Sequence, residues 1–177
     1  MSRAAQTART LDTPLRTQTA DFRDLTDVAG EFDAVISCDN AIPHLLDDVE
    51  VDLAVSQMPG KLRPGGLLVI STRDYDRALR ERPATAPPVD MPGPPRRIFV
   101  RLHEWDAPGS PLYTVRFLIL TQEDAGWRVT DHAARYRALP AAQLTGSAGR
   151  AGLIDVRWLT AAQAGFHQPV MVAQRPR

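Results

Sequence analysis

Apolar residues gather in short blocks along the first half of the chain. Residues 32–37 (FDAVIS) and 66–71 (GLLVIS) are continuous apolar runs without alternation, which predicts strands buried on both faces, as in a parallel sheet. Between them, apolar residues recur near helical spacing over residues 44–62. Two strands joined by a helix predict a right-handed βαβ unit with parallel strands.

Three flanking segments have other patterns. Residues 2–11 are rich in Ala and Arg without a helix breaker, which predicts the end of a helix. Residues 15–20 (LRTQTA) alternate and predict a strand. Residues 82–95 contain six prolines, which predict an extended loop that is neither a helix nor a central strand.

The second half carries consecutive strand patterns with short connections, which predict an antiparallel meander. These strands are predicted over residues 96–105, 112–122 and 127–139. A glycine-interrupted helix and two further strands are predicted over residues 140–152, 155–159 and 169–174. We therefore predict an α/β fold, a single domain over residues 1–177 with a β-meander insertion at residues 96–137.

Composition narrows the function classes. Lys plus Arg equal Asp plus Glu at 21 each, so no basic surface for nucleic acid or an anionic membrane is predicted. The single cysteine, Cys38, excludes an internal disulfide. The same charge balance predicts a small, roughly neutral ligand. Neither an apolar N-terminal signal nor a run long enough to span a membrane is present, which predicts a cytoplasmic protein.

Polar side chains cluster where predicted strands end, at residues 21–24, 37–40 and 71–76. Ligands of open parallel sheets bind beyond the carboxyl ends of the strands, so these clusters predict a small-molecule crevice. Alternatively, these residues are polar only because they lie in loops, and they bind no ligand. The four histidines show no metal-ligand spacing, so no metal site is predicted.

Three stretches together resemble class I S-adenosylmethionine-dependent methyltransferases, and within that class the glycine and sarcosine N-methyltransferases. These stretches are DFRDL at residues 21–25, GEFDAVISCDNAIPHLL at 30–46 and KLRPGGLLVISTRDYD at 61–76. The resemblance implies a partial Rossmann-like sheet with an antiparallel β insertion. It also implies S-adenosylmethionine as cofactor and the amine of glycine, sarcosine or a similar amino acid as methyl acceptor.

The same resemblance assigns four residues to the cofactor. Asp21 and Phe22 match a pair that recognises adenine, in which the carboxylate takes the exocyclic amine and the ring meets the base. Cys38 and His44 fall near the amino acid end or the sulfonium of the cofactor. Alternatively, Cys38 is inert packing and His44 is a helix residue without a ligand.

Three further residues are assigned to the acceptor. Asn40 matches an asparagine that orients the substrate and accepts a hydrogen bond from its amine, and Tyr136 falls near an active-site tyrosine. Arg73 matches an arginine that grips the substrate carboxylate, a task that suits its planar fork. Alternatively, Arg73 pairs with Asp74 or Asp76 on the surface, and Asn40 caps a helix.

The chain also departs from the resembled pattern. No glycine precedes Asp21, so we expect the glycine-rich cofactor turn and its strands to be missing, with weaker cofactor binding. The strand at residues 15–20 would then pair with residues 32–37 or be poorly held. Asp39 stands where similar proteins often carry glycine. The alternatives are a catalytically inactive module that serves partner binding or homo-oligomerisation, and a methyltransferase of another small-molecule acceptor such as a natural-product intermediate.

Overall fold

The computed structural model describes residues 3–177, which form two four-stranded sheets and the helices around them. The helices are α1 (Arg3–Thr10), α2 (Asp48–Gln57), α3 (Tyr75–Glu81), α4 (Ala141–Arg150) and α5 (Ala161–Ala164). The strands are β1 (Phe32–Ser37), β2 (Leu62–Ser71), β3 (Thr85–Met91), β4 (Arg97–Trp105), β5 (Leu112–Glu123), β6 (Gly126–Arg137), β7 (Ile154–Leu159) and β8 (Val170–Gln174). Two 3₁₀ turns cover Ile42–His44 and Pro59–Lys61.

The first sheet has the strand order β1-β2-β8-β7. β1 and β2 are parallel and linked through α2, which confirms the predicted βαβ unit, and β8 runs antiparallel to both β2 and β7. Asp47 caps the N-terminus of α2, and its carboxylate accepts the backbone N–H of Glu50 at 2.8 Å. Leu68 and Ile70 of β2 and Met171 of β8 are fully buried, so the core begins on one face of this sheet.

β1 was predicted to be buried on both faces, but one of its faces is exposed. Phe32 is 43% exposed and Ile36 is 64% exposed, whereas Val35 on the opposite face packs against the core. Within residues 3–177 no strand pairs with the outer edge of β1. An apolar run without alternation indicates that both faces of a strand can be buried. Burial of both faces also requires other elements to pack against each of them.

The predicted strand at residues 15–20 is wrong. These residues are exposed and form no strand, and Gln18 Nε2 donates to the carbonyl oxygen of Asp27 at 3.1 Å. The predicted pairing with residues 32–37 is wrong, because this segment lies outside the first sheet. The physical reason is that alternation stabilises a strand only through cross-strand neighbours and a buried face.

The second sheet is antiparallel with the order β3-β4-β5-β6, which confirms the predicted meander. The proline-rich segment differs from the predicted loop, because Thr85–Met91 forms strand β3. β3 lies at the edge of the sheet, and its register shifts between Ala86 and Val89, where two prolines cannot donate ladder hydrogen bonds. The predicted bounds of the single domain (residues 1–177) and of the β-meander insertion (residues 96–137) stay predictions.

One apolar core continues from the first sheet into the second. Leu144 of α4 and Val51 of α2 are fully buried against it, and Tyr75 of α3 and Tyr113 of β5 belong to the same cluster. The glycine-interrupted segment forms an unbroken helix, α4, as predicted. In the part of the chain that the structure describes, no helix combines the length and the apolarity that crossing a membrane requires.

Candidate active site

The turns that follow β1 and β2 are joined by hydrogen bonds at the carboxyl ends of these strands. The backbone N–H of Asn40 donates to the carbonyl oxygen of Ser71 at 3.3 Å, and that of Asp39 donates to Ser71 Oγ at 3.0 Å. Asp39 and Asn40 have φ values of 56° and 65°, a left-handed conformation that Asp and Asn tolerate better than most residues. This turn directs the Asn40 side chain towards Arg73.

The Asn40 side chain is buried, with 3% of its surface exposed. The backbone N–H of Arg73 lies 3.2 Å from Asn40 Oδ1, and because that group can only donate, the oxygen must face it. Asn40 Nδ2 is then buried near the Tyr75 hydroxyl but forms no hydrogen bond of good geometry with any of residues 3–177. A buried unpaired donor is costly, and a ligand oxygen would satisfy it.

The helix-cap alternative for Asn40 is wrong. The cap position of the 3₁₀ turn Ile42–His44 is Ala41, and no side chain caps that turn. Asn40 was predicted to accept a hydrogen bond from the amine of the acceptor, and this role stays a prediction. The second lone pair of Asn40 Oδ1 is available for such a hydrogen bond.

The Arg73 guanidinium is half-buried between two side chains of the second sheet. Its Nη1 lies 3.4 Å from His103 Nε2, and its Cζ lies 5.9 Å from the centre of the Tyr136 ring. The structure therefore brings together Asn40, Arg73 and Tyr136, the three residues predicted for the acceptor.

The alternative that Arg73 pairs with a neighbouring aspartate is wrong. Asp74 Oδ1 accepts the backbone N–H of Arg77 at 2.9 Å and caps α3. Asp76 Oδ2 accepts the backbone N–H of Ala141 at 3.1 Å. Within residues 3–177, Arg73 forms no salt bridge, so its charge is open to an incoming anion.

His103 was not found from the sequence, although it contacts Arg73 directly. Its Nδ1 lies 3.2 Å from the carbonyl oxygen of Pro83, which can only accept, so Nδ1 carries the proton and Nε2 accepts from Arg73. Burial lowers the pKa of His103, and the charges of Arg73 and Arg101 lower it further. His103 is therefore neutral near neutral pH.

Stacked aromatic rings form the wall behind the guanidinium. The Tyr113 ring stacks on Trp105 at 4.5 Å and on Tyr136 at 5.7 Å between centroids, and its hydroxyl lies 2.9 Å from that of Tyr75. Burial raises the pKa of Tyr75 and of Tyr113, so both phenols remain protonated and neutral. The His44 ring lies 4.2 Å from Tyr136.

Three of the residues predicted for the cofactor line one open cavity of about 610 Å³, namely Asp21, Phe22 and His44. The Asp21 carboxylate is held by Arg23 at 2.7 Å, and hydrogen bonds from Arg23 lower the pKa of Asp21 to about 2. Asp21 is consequently ionised throughout the neutral range. His44 links this cavity to Tyr136.

Cys38 stands apart from the other predicted cofactor residues. It is exposed, so the interpretation as inert packing is wrong, and it lines neither the cavity beside Asp21 nor the cavity beside Arg73.

A larger cavity, of about 850 Å³, opens between the ends of the first sheet and the face of β4. Its lining includes Arg73, Tyr75, Arg101, His103 and His167. Arg101 was also not found from the sequence. The signal was the alternation in RRIFVRLHEW, which places Arg101, His103 and Trp105 on one face of β4.

No protein-family model matches the chain. A glycine/sarcosine N-methyltransferase of Parasynechococcus marenigrum is 40% identical over 80 residues, which are 45% of this chain and 28% of that protein. An S-adenosylmethionine-dependent methyltransferase of Clostridium acetobutylicum superposes over 98% of this chain and 70% of its own, with a TM-score of 0.76 and 11% identity. The fold is that of a class I S-adenosylmethionine-dependent methyltransferase.

A second solved methyltransferase has its cofactor bound. This protein is CalS10, an amino pentose methyltransferase from Micromonospora echinaspora, solved with S-adenosylmethionine. The superposition includes 88% of this chain and 63% of the CalS10 chain, with a TM-score of 0.68 and 19% sequence identity. The relatives and these structural neighbours are all S-adenosylmethionine-dependent methyltransferases, which confirms the resemblance and the predicted α/β fold. The sequence match spans less than a third of the length of the glycine/sarcosine methyltransferase.

Proposed function

We propose that this chain takes part in S-adenosylmethionine-dependent methyl transfer to the amine of a small amino acid, such as glycine or sarcosine. The observation that carries the proposal is the half-buried Arg73 guanidinium, which has no carboxylate partner within residues 3–177 and lies beside the buried amide of Asn40. An arginine fork binds a carboxylate through two hydrogen bonds and so fixes its orientation. The 40% identity to a glycine/sarcosine N-methyltransferase supports the same acceptor class.

The cavity beside Asp21 suits the adenine end of the cofactor. The Asp21 carboxylate, kept ionised by Arg23, would accept a hydrogen bond from an exocyclic amine, and the Phe22 ring would pack against a planar base. His44 would lie towards the reacting end, because its ring contacts Tyr136 of the acceptor side. When bound, S-adenosylmethionine supplies an electrophilic methyl group on a sulfonium.

Orientation is the main contribution of the acceptor residues. Arg73 would hold the acceptor carboxylate, Asn40 Nδ2 would donate to an acceptor oxygen, and the Tyr136 ring would limit the position of the amine. His103 fixes the guanidinium without neutralising its charge, because it accepts from Arg73 through Nε2. In-line transfer to a neutral amine needs no strong acid or base, so correct placement of the reacting atoms accounts for most of the catalysis.

A sugar amine is a second acceptor candidate. The cavity beside Arg73 has a volume of about 850 Å³, far more than a glycine fills, and CalS10 is an amino pentose methyltransferase. A third candidate is a methyltransferase-like module that binds a partner without catalysis. The three candidates differ in whether the chain binds the cofactor and in which amine accepts the methyl group.

The test begins with calorimetric titration of the folded chain with S-adenosylmethionine and with S-adenosylhomocysteine. We expect saturable binding that Asp21→Ala weakens and that Asp24→Ala, which removes a neighbouring exposed carboxylate, leaves unchanged. Transfer of labelled methyl groups to glycine, sarcosine and a panel of amino sugars then separates the acceptors. Absence of cofactor binding by a folded chain would contradict methyl transfer and favour the non-catalytic module.

A further inference from the structure

The cavity beside Arg73 is lined by two arginines whose charges are not paired. Arg73 and Arg101 form no salt bridge within the described residues 3–177, whereas Arg77, the third arginine of the lining, pairs with Glu81 at 2.9 Å. Both unpaired guanidinium groups are partly buried. A partly buried cation is normally paired with an anion, because burial penalises the charged form.

The other ionisable groups of the lining do not supply the missing anion. Asp74 and Asp76 are exposed, and each accepts a backbone N–H at the start of a helix. His103 is neutral and accepts from Arg73. His167 Nε2 contacts Asp39 Oδ1 at 3.3 Å and brings no negative charge of its own. The two half-buried cations therefore face the cavity without a compensating carboxylate.

Arg101 is positioned by the alternation of β4. Arg101 and His103 lie on the same side of the strand, and both line the cavity together with Arg73. Burial lowers the pKa of Arg101, and the like charge of Arg73 acts in the same direction. Two cations that repel each other at one cavity are stabilised together by a ligand with two negative groups.

We propose that the preferred amino-acid acceptor is larger than glycine or sarcosine and carries a second anionic group, a carboxylate or a phosphate, which Arg101 binds while Arg73 binds the first. This inference rests on the proposed function for the identity of the reacting amine. The cavity volume of about 850 Å³ accommodates such an elongated acceptor, and Leu139, Trp158 and Pro169 of the lining offer apolar contacts to its carbon stem. Arg101 is thus a specificity-determining residue.

Matched ligands test the second anion. The folded chain is titrated calorimetrically with glutamate against its neutral isostere glutamine, and with O-phosphoserine against serine, with and without saturating S-adenosylhomocysteine. We expect the ligand with the second anion to bind at least about tenfold more tightly, because a hydrogen bond to a charged group contributes that much. Preference for glutamate assigns a carboxylate, and preference for O-phosphoserine assigns a phosphate.

Matched variants test Arg101. Arg101→Gln should abolish the preference for the anionic member of each pair, whereas Arg97→Gln should keep it, because Arg97 is an exposed arginine of the same strand outside the cavity. Circular dichroism and thermal unfolding establish that both variants are folded. Equal binding of both members of each pair, no binding of any of the four ligands, or an unchanged preference in Arg101→Gln would overturn the inference.

These outcomes are distinct from those for methyl transfer. Binding of a two-anion ligand through Arg101, together with no cofactor binding, would remove the proposed function and keep the anion subsite. Methyl transfer to glycine, together with equal binding of glutamate and glutamine and of O-phosphoserine and serine, would keep the proposed function and remove the subsite.

Discussion

Arg73 Nη1 faces His103 Nε2 at 3.4 Å, and the opposite nitrogen of the same ring faces the carbonyl oxygen of Pro83 at 3.2 Å. Because the guanidinium can only donate and the carbonyl can only accept, Arg73 donates to Nε2 of the imidazole and Nδ1–H of the imidazole donates to the carbonyl. A neutral imidazole therefore orients Arg73 and leaves its positive charge available to a ligand.

This arrangement predicts a pH-dependent stability. Burial and the nearby arginines lower the folded-state pKa of His103, so below about pH 6.5 the unfolded chain binds a proton more readily than the folded one. The free energy of unfolding of the wild type should then fall, relative to His103→Gln, as the pH decreases from about 7.5 to about 5. Urea unfolding measures this difference, and parallel pH profiles for the two proteins would contradict it.

The fork of Arg73 predicts a graded effect on the acceptor. Arg73→Lys keeps the charge but loses the planar pair of donors, and Arg73→Gln loses both. We expect KM for the acceptor to rise about tenfold or more in Arg73→Lys and further in Arg73→Gln, with losses on the order of 1.5–3 kcal/mol. Cofactor affinity, measured by calorimetry, should change little. An equal loss of cofactor and acceptor binding would show that Arg73 supports the fold instead.

Much of the fold follows from the spacing of apolar residues. The βαβ unit, α4 and the meander were all predictable, because their periodicity matches the burial that they achieve. The burial of β1 on both faces and the strand at residues 15–20 were mispredicted for a common reason. An apolar or alternating pattern describes what a segment can bury, and the neighbours that bury it are not encoded in that segment.

Part of the candidate site was likewise predictable from the sequence, and part was not. Asn40 and Arg73 follow strands of a parallel sheet, so their position in the chain predicts that they meet. Arg101 and His103 lie on a strand of the other sheet, about thirty residues away from Arg73 along the chain. Alternation places these two on one face of β4, but only the packing of one sheet against the other determines which residues that face meets.

The buried contact between the Tyr75 and Tyr113 hydroxyls predicts a non-additive double mutant. Tyr75→Phe or Tyr113→Phe leaves the other hydroxyl buried with a poorer partner, and each should reduce the free energy of unfolding by about 1–3 kcal/mol. The double variant should lose less than the sum, because no hydroxyl is then left unpaired.

Urea unfolding of the four proteins measures this coupling, and Tyr136→Phe serves as the control. The Tyr136 hydroxyl forms no hydrogen bond with any of residues 3–177, so its removal should have little effect on stability. Strict additivity of the two single variants would show that the two phenols do not depend on each other.

The left-handed conformation of Asp39 predicts opposite effects for two substitutions. Its φ of 56° is costly for a residue with a Cβ, and Asp tolerates it better than Ala does. Asp39→Gly should be as stable as the wild type or more stable by up to about 1 kcal/mol, whereas Asp39→Ala should be less stable by a similar amount. Both variants remove the same exposed carboxylate and its contact with His167 at 3.3 Å. The difference between them in urea unfolding consequently reports the backbone alone, and an Asp39→Ala variant at least as stable as Asp39→Gly would contradict the left-handed turn that positions Asn40.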